Sequence, residues 1–192
     1  MSTNHVTLIG GDSSEGRQIV TVDRFNNALV VQDEIHQNIH RGIQFAKSRY
    51  IADYDNSTNY DLAIIVTDSM HMRYDVHVSV NSLLRLYSDT VLDDPPGGTA
   101  VAARNKNLFS SITPTSTTID DPTVVDAGTI IYESFVPGGH GRGSTGGTEA
   151  GFGEWVLSPG TYLLRLVNLD VNNSLASMTL NFYEPGQSPD VP

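Results

Sequence analysis

Four groups of residues in this chain have types and spacings that chemistry could use. Gly141-Arg142-Gly143-Ser144-Thr145-Gly146 has the glycine spacing of a dinucleotide-binding turn. That turn works because a helix N-terminus follows it and its free N–H groups face the pyrophosphate. Here the glycines run on into Glu154-Trp155-Val156-Leu157, a β-type run, so no helix dipole is expected. The same loop approximates a phosphate-binding loop from Gly141 to Thr148, but Gly147 stands where the lysine must be. His36 and His40 have the i, i+4 spacing of a zinc-protease helix, with Gln37 where the general base belongs. A glutamine amide does not take up a proton usefully, so two surface histidines are expected, with an adventitious metal site as the alternative. Asp53, Asp55, Asn56, Asn59 and Asp61 offer oxygen ligands close together, yet they lack the glycine and the bidentate glutamate of a calcium loop. A polar turn is the first reading there and a loose Ca²⁺ site the second. His71 and His77 flank an alternating strand on its polar side with Arg73 and Asp75, where cross-strand pairing is the ordinary role. No nucleophile elbow and no glycosidase-like carboxylate pair appears. The expectation is a protein that is not an enzyme and has no catalytic, cofactor-binding or metal-binding residues.

Composition narrows the partners. The net charge is −11, and the 11 basic residues are scattered singly, which argues against direct nucleic-acid binding. Cysteine is absent, which excludes disulfides, thiolate catalysis and cysteine-based metal sites. Met1-Ser2-Thr3-Asn4-His5 opens the chain without a basic or apolar leader, so synthesis in the cytoplasm is expected. No apolar run approaches the ~20 residues needed to span a bilayer as a helix, so no membrane partner is expected.

The elements that must position any site are β-type. Tyr60-Asp61-Leu62-Ala63-Ile64-Ile65-Val66-Thr67 reads as a buried strand. Residues 72–80 alternate strictly, with Met72, Tyr74, Val76, Val78 and Val80 on one face. Asn81-Ser82 turns the chain into Leu83-Leu84-Arg85-Leu86-Tyr87-Ser88. Residues 129–136, 154–157, 161–168 and 175–184 supply further strands, and residues 92–126 are turn-rich. The fold class expected is all-β, an antiparallel β-sandwich of jelly-roll type with an extended N-terminal arm. Residues 1–58 read as that arm, carrying short strands and room for one short helix, 59–184 as the sandwich and 185–192 as a disordered tail. Within the arm, Ile35, Ile39, Ile43 and Ala46 recur roughly every four residues, a thin helical stripe weakened by Gly42. The arm either lies on a neighbouring subunit or completes its own domain. Between Pro137 and Glu154 lies a glycine-rich loop whose bulky residues are His140, Arg142, Glu149 and Phe152. Such a loop loses much conformational entropy when ordered unless it docks somewhere. Partner contacts are therefore expected at His140, Arg142, Glu149 and Phe152, and at Ile35, Ile39 and Ile43 of the arm.

The order of these pieces resembles the capsid decoration (cement) proteins of tailed bacteriophages. The resemblance rests on residues 59–67, the pair of strands in 72–87, and Gly128-Thr129-Ile130-Ile131-Tyr132-Glu133-Ser134-Phe135-Val136-Pro137-Gly138-Gly139. It continues through Glu154-Trp155-Val156-Leu157, Pro159-Gly160-Thr161-Tyr162-Leu163-Leu164-Arg165-Leu166-Val167-Asn168 and Asn181-Phe182-Tyr183-Glu184, covering roughly the C-terminal two-thirds. It implies a non-enzymatic virion component, a homotrimer on the capsid exterior that bridges neighbouring copies of the major capsid protein. The alternative is a carbohydrate- or receptor-binding sandwich of a phage fibre or surface protein. That alternative would gain from Tyr50, Tyr54 and Tyr60 exposed together in one groove, whereas Trp155 reads as core.

Overall fold

The computed structural model describes residues 34–54, 59–139, 154–170 and 174–186. One short helix, α1 (Glu34–His40), precedes strands β1 (Gln44–Tyr54), β2 (Asn59–Val66), β3 (Met70–Val78) and β4 (Ser82–Ser88). Five short strands follow: β5 (Val91–Leu92), β6 (Thr99–Ala100), β7 (Arg104–Asn105), β8 (Thr117–Asp120) and β9 (Val124–Asp126). The chain closes with β10 (Thr129–Val136), β11 (Trp155–Leu157), β12 (Gly160–Asn168) and β13 (Ser174–Tyr183).

Two antiparallel sheets form the body, ordered β11-β3-β13-β1-β7 and β10-β4-β12-β2-β8-β6, with β5 and β9 as a separate ribbon. The pairing is nested. β1 pairs with β13, β2 with β12, β3 with β11 and β4 with β10, so early strands meet late ones in reverse order. A long hairpin rolled up on itself gives this pattern, and it is the jelly roll. The all-β sandwich expected from the sequence is the fold observed.

The core follows from the alternation. Met72, Tyr74, Val76 and Val78 of β3, with Met178, Leu180 and Phe182 of β13, face Leu62, Ile64, Leu84, Leu86, Leu164 and Leu166 of the other sheet. β2 and β12 read as continuous apolar runs because both of their faces are covered. Ala63 and Leu163 point away from the main core into a second cluster with Tyr87 and Ile119. Leu92 and Val124 of the ribbon pack over that cluster. Burial on both faces removes the period of two that a half-exposed strand must keep.

The N-terminal boundary differs from the sequence expectation. Residues 44–54, read as arm, form β1, which pairs with β13 from Gln44↔Tyr183 to Tyr54↔Ser174. Phe45 of β1 is fully buried, its ring 5.4 Å from that of Phe182. The compact unit begins at Asn38, not at residue 59, so an arm ending at 58 ends too late. The helical stripe is realised only over Glu34–His40. Gly42, at φ 72°, stops it: its N–H donates to Ile39 O (2.9 Å) and Ile43 N–H donates to Asn38 O (3.0 Å). A Cβ on Gly42 would also strike the Ser110 side chain, so the turn needs glycine for two independent reasons. Of the residues expected as a disordered tail, 185–192, Pro185 and Gly186 form an exposed turn and 187–192 lie outside the described residues.

Candidate interaction surfaces

Those residues singled out from the sequence that are described are not gathered into one site. His140, Arg142, Glu149 and Phe152 lie outside the described residues. Ile35 and Ile39 are half-buried on α1. Ile43 is buried, so it serves the protein's own packing and is withdrawn as a partner contact. His36 and His40 are exposed on α1. Asp61 is engaged by Arg165, whose Nε and terminal nitrogen each donate to a separate carboxylate oxygen at 2.7 Å. Among the described residues no group of three or more His, Asp or Glu is placed to hold a metal ion. Tyr50 is exposed, but Tyr60 is buried with its hydroxyl donating to Asp120 (2.9 Å), so the two cannot share a surface platform. Trp155 is half-buried against the core.

Among the described residues, the most exposed apolar side chains stand on a loop that sequence reading passed over. Leu108 and Phe109 are 85% and 101% exposed. The loop beneath them is held by asparagines. Asn105 donates from Nδ2 to Gly42 O (2.6 Å) and Ile112 O (3.0 Å), and its Oδ1 accepts from Asn107 N–H (2.9 Å). Asn107 Oδ1 accepts from Phe109 N–H (3.1 Å), and Asn107 O accepts from Ser110 N–H (3.0 Å). Lys106 N–H donates to Gln44 O (2.8 Å), tying the loop to the start of β1. Asn side chains that imitate a backbone turn fix a loop without burying its tip. A partner that covers Leu108 and Phe109 would therefore bind a prearranged knob, with little left to order. The signal in the sequence was an apolar pair inside the polar run Asn105-Lys106-Asn107-Leu108-Phe109-Ser110-Ser111.

A second apolar surface lies where the two sheets end on the same side. β10 and β11 are edge strands, and the Tyr132 and Trp155 rings meet edge-on at 5.5 Å between them. A groove of about 570 Å³ opens here, lined by Ser88, Ile131, Trp155, Val156, Pro159 and Tyr162 among others. Ile131 and Val156 of its lining are exposed, as are Ile130 and Phe135 along β10.

The wall formed by β11 depends on Glu154. Glu154 Oε1 accepts from His71 Nδ1 (2.6 Å) and the Tyr183 hydroxyl (3.2 Å), and Oε2 accepts from Arg73 (2.9 Å). A carboxylate only accepts, so the His71 hydrogen facing it sits on Nδ1. The Tyr183 ring stacks on His71 with centroids 4.5 Å apart. Burial alone would raise the Glu154 pKa. The hydrogen bonds from His71, Arg73 and Tyr183, with the charge of Arg73, outweigh that and hold it below the ordinary 4.5. A carboxyl depressed on folding stabilises the protein above its unfolded pKa and loses that contribution as pH falls through the lower folded value. The stability gap between the wild type and Glu154→Gln should therefore be full at neutral pH and shrink below about 4.5. Urea melts followed by Trp155 fluorescence across that range measure it, and a gap independent of pH would remove Glu154 from the anchoring role.

Comparison with known proteins returns no match: no family model fits the chain, and neither the curated proteins nor the solved structures contain a significant relative.

Proposed function

We propose that this chain is a non-enzymatic structural protein of a bacteriophage virion, which decorates the capsid exterior as a homotrimer and bridges neighbouring copies of the major capsid protein. The observation that carries the reading is the Leu108–Phe109 knob, a fully exposed apolar pair on a loop already fixed by Asn105 and Asn107. Water-exposed aromatic surface of this kind favours a partner, and a fixed loop loses little entropy on contact. The ordered string of motifs in residues 59–184 supports the class of partner. A jelly roll suits the mechanical task, because nearly every strand is hydrogen-bonded to a partner distant in sequence and no single pairing can peel away alone. Packaged DNA pushes a shell outward, and a clamp that buries area across subunit boundaries resists it. Three chains acting together multiply a modest affinity by avidity.

The test is co-sedimentation of the purified protein with expanded capsids that lack it, with the mass of the free protein measured alongside. Saturable binding by a trimer is the expected result. Phe109→Ser should weaken that binding by at least about tenfold while leaving the thermal melt unchanged, since an exposed hot-spot side chain contributes to binding and not to the core. A monomer that does not sediment with capsids would sink the proposal.

A further inference from the structure

The two sheets are joined near β1 and β8 by a buried ion pair. Lys47 of β1 places Nζ 2.6 Å from Oδ1 of Asp120 on β8, and the two side chains are 3% and 5% exposed. Lys47 points inward beside Leu180, its partner across the strand pair, and Asp120 points inward beside Leu62. Thr118 Oγ1 accepts a second hydrogen from Lys47 Nζ (3.2 Å) and passes its own to Val101 O (2.8 Å). The Tyr60 hydroxyl donates to Asp120 Oδ1 at 2.9 Å. Asp120 Oδ2 is buried with no hydrogen-bond partner among the described residues, and the nearest cation on that side, Arg49 Nε, is 4.0 Å away.

We infer that Lys47 and Asp120 form an intramolecular isopeptide bond that covalently joins the two sheets of the sandwich, a modification independent of any binding role. An ion pair out of water is destabilised by desolvation, and moving one proton from Nζ to the carboxyl gives a neutral amine beside a neutral acid. Burial pulls the Lys47 pKa down, against the hydrogen bond and charge of Asp120. A hydrogen-bonded amine and carboxyl are close to the roughly 3–3.5 Å separation of a near-attack pair. The Nζ lone pair attacks Cγ of Asp120, negative charge develops on Oδ2 on the side of Arg49, and the Tyr60 hydroxyl donates to Oδ1, the oxygen that departs. Burial and the charge of Asp120 push the Tyr60 pKa far upward, so its hydroxyl keeps the proton it donates. Oδ1, which lies 2.6 Å from Nζ, takes the acid proton and one amine proton and leaves as water. The Nζ–Cγ bond forms as the Cγ–Oδ1 bond breaks. Amine plus acid become amide plus water, with no oxidant, metal or activated intermediate.

The product is favoured where it forms. An amide between the sheets replaces two buried charges with one hydrogen-bonding group, which removes the desolvation cost that a buried pair carries. It also ties residues 47 and 120 into a closed loop, which restricts the unfolded chain as a disulfide would in a protein with no cysteine.

The experiment is intact mass measurement of the purified full-length protein after denaturation, followed by tryptic mapping. The expected result is a mass lower than that of the sequence by one water, with the peptides containing residues 47 and 120 joined and no cleavage after Lys47. Lys47→Arg should restore the full mass. Tyr60→Phe keeps the ring in place and removes the hydroxyl, and should slow bond formation after refolding by about 100-fold, the usual effect of losing one donor to a departing oxygen. A wild-type protein of full mass after prolonged incubation at neutral pH, with separate peptides for Lys47 and Asp120, would overturn the inference. So would a lost water that maps to any other pair of residues.

Discussion

A chain that begins at residue 51 should fail to fold, while one that begins at residue 34 should melt as a cooperative unit. The shorter chain lacks Gln44–Tyr50, most of the β1 segment hydrogen-bonded to β13. It also loses the Phe45 ring from the centre of the core, at a cost of about 3–5 kcal/mol judged by large-to-small core substitutions. Asp120 would be left buried without Lys47, and breaking a buried pair typically costs a further 3–5 kcal/mol, roughly. Domains of this class carry only about 5–15 kcal/mol in total, so two such losses, plus a β13 left paired on one side only, exceed what the remainder can offset. The chain from residue 34 keeps α1 and the whole compact unit from Asn38 onward. Circular dichroism in the near ultraviolet and a thermal melt of both proteins decide the matter. A cooperative melt of the shorter chain would place β1 outside the folding unit.

The sequence carried the fold where side-chain alternation was enforced by one buried and one wet face. β3 and β13 were legible residue by residue, because Met72, Tyr74, Val76, Met178, Leu180 and Phe182 alternate with polar neighbours. β1 was not legible for a physical reason. Its inward positions hold Phe45, the buried Lys47, the charged Arg49 and Ile51, and its outward positions hold Ala46, Ser48 and Tyr50. A lysine on the core side erases the binary pattern, and only a carboxylate 73 residues away on β8 explains why it can stay there. The apparent helical stripe arose because Ile35 and Ile39 lie on α1 whereas Ile43 and Ala46 lie past the Gly42 turn, so two different elements were read as one. The Leu108–Phe109 knob escaped because an apolar pair inside a turn-rich segment has no periodicity to report. Its meaning lies in exposure, which only the fold defines.

Asp61→Ala should destabilise the protein by about 3 kcal/mol, whereas Glu133→Ala should change its stability by less than about 1 kcal/mol, although both remove a carboxylate from an arginine. The four residues form one row across the outer face of the six-stranded sheet. Asp61 on β2 lies opposite Arg165 on β12, Arg165 lies opposite Arg85 on β4, and Arg85 lies opposite Glu133 on β10. The two arginines are neighbours, and each is turned away from the other by its own carboxylate. Arg165 gives Asp61 a two-pronged contact at 2.7 Å and 2.7 Å and lies over the Tyr87 ring, 5.6 Å from its centroid. Its side chain is 18% exposed and that of Asp61 11%, while Glu133 is 45% exposed. Without Asp61 the Arg165 guanidinium would be enclosed and unpaired, facing Arg85 across the strand pair. Without Glu133, Arg85 keeps access to water and loses little. The double change Asp61→Leu with Arg165→Met removes both charges and should recover most of the loss, because apolar side chains of similar size avoid the desolvation that the pair must overcome. Urea denaturation of the two single variants and the double variant gives the three values. Equal losses for Asp61→Ala and Glu133→Ala would mean that water reaches Arg165 as freely as Arg85, and that the row acts as a surface ladder.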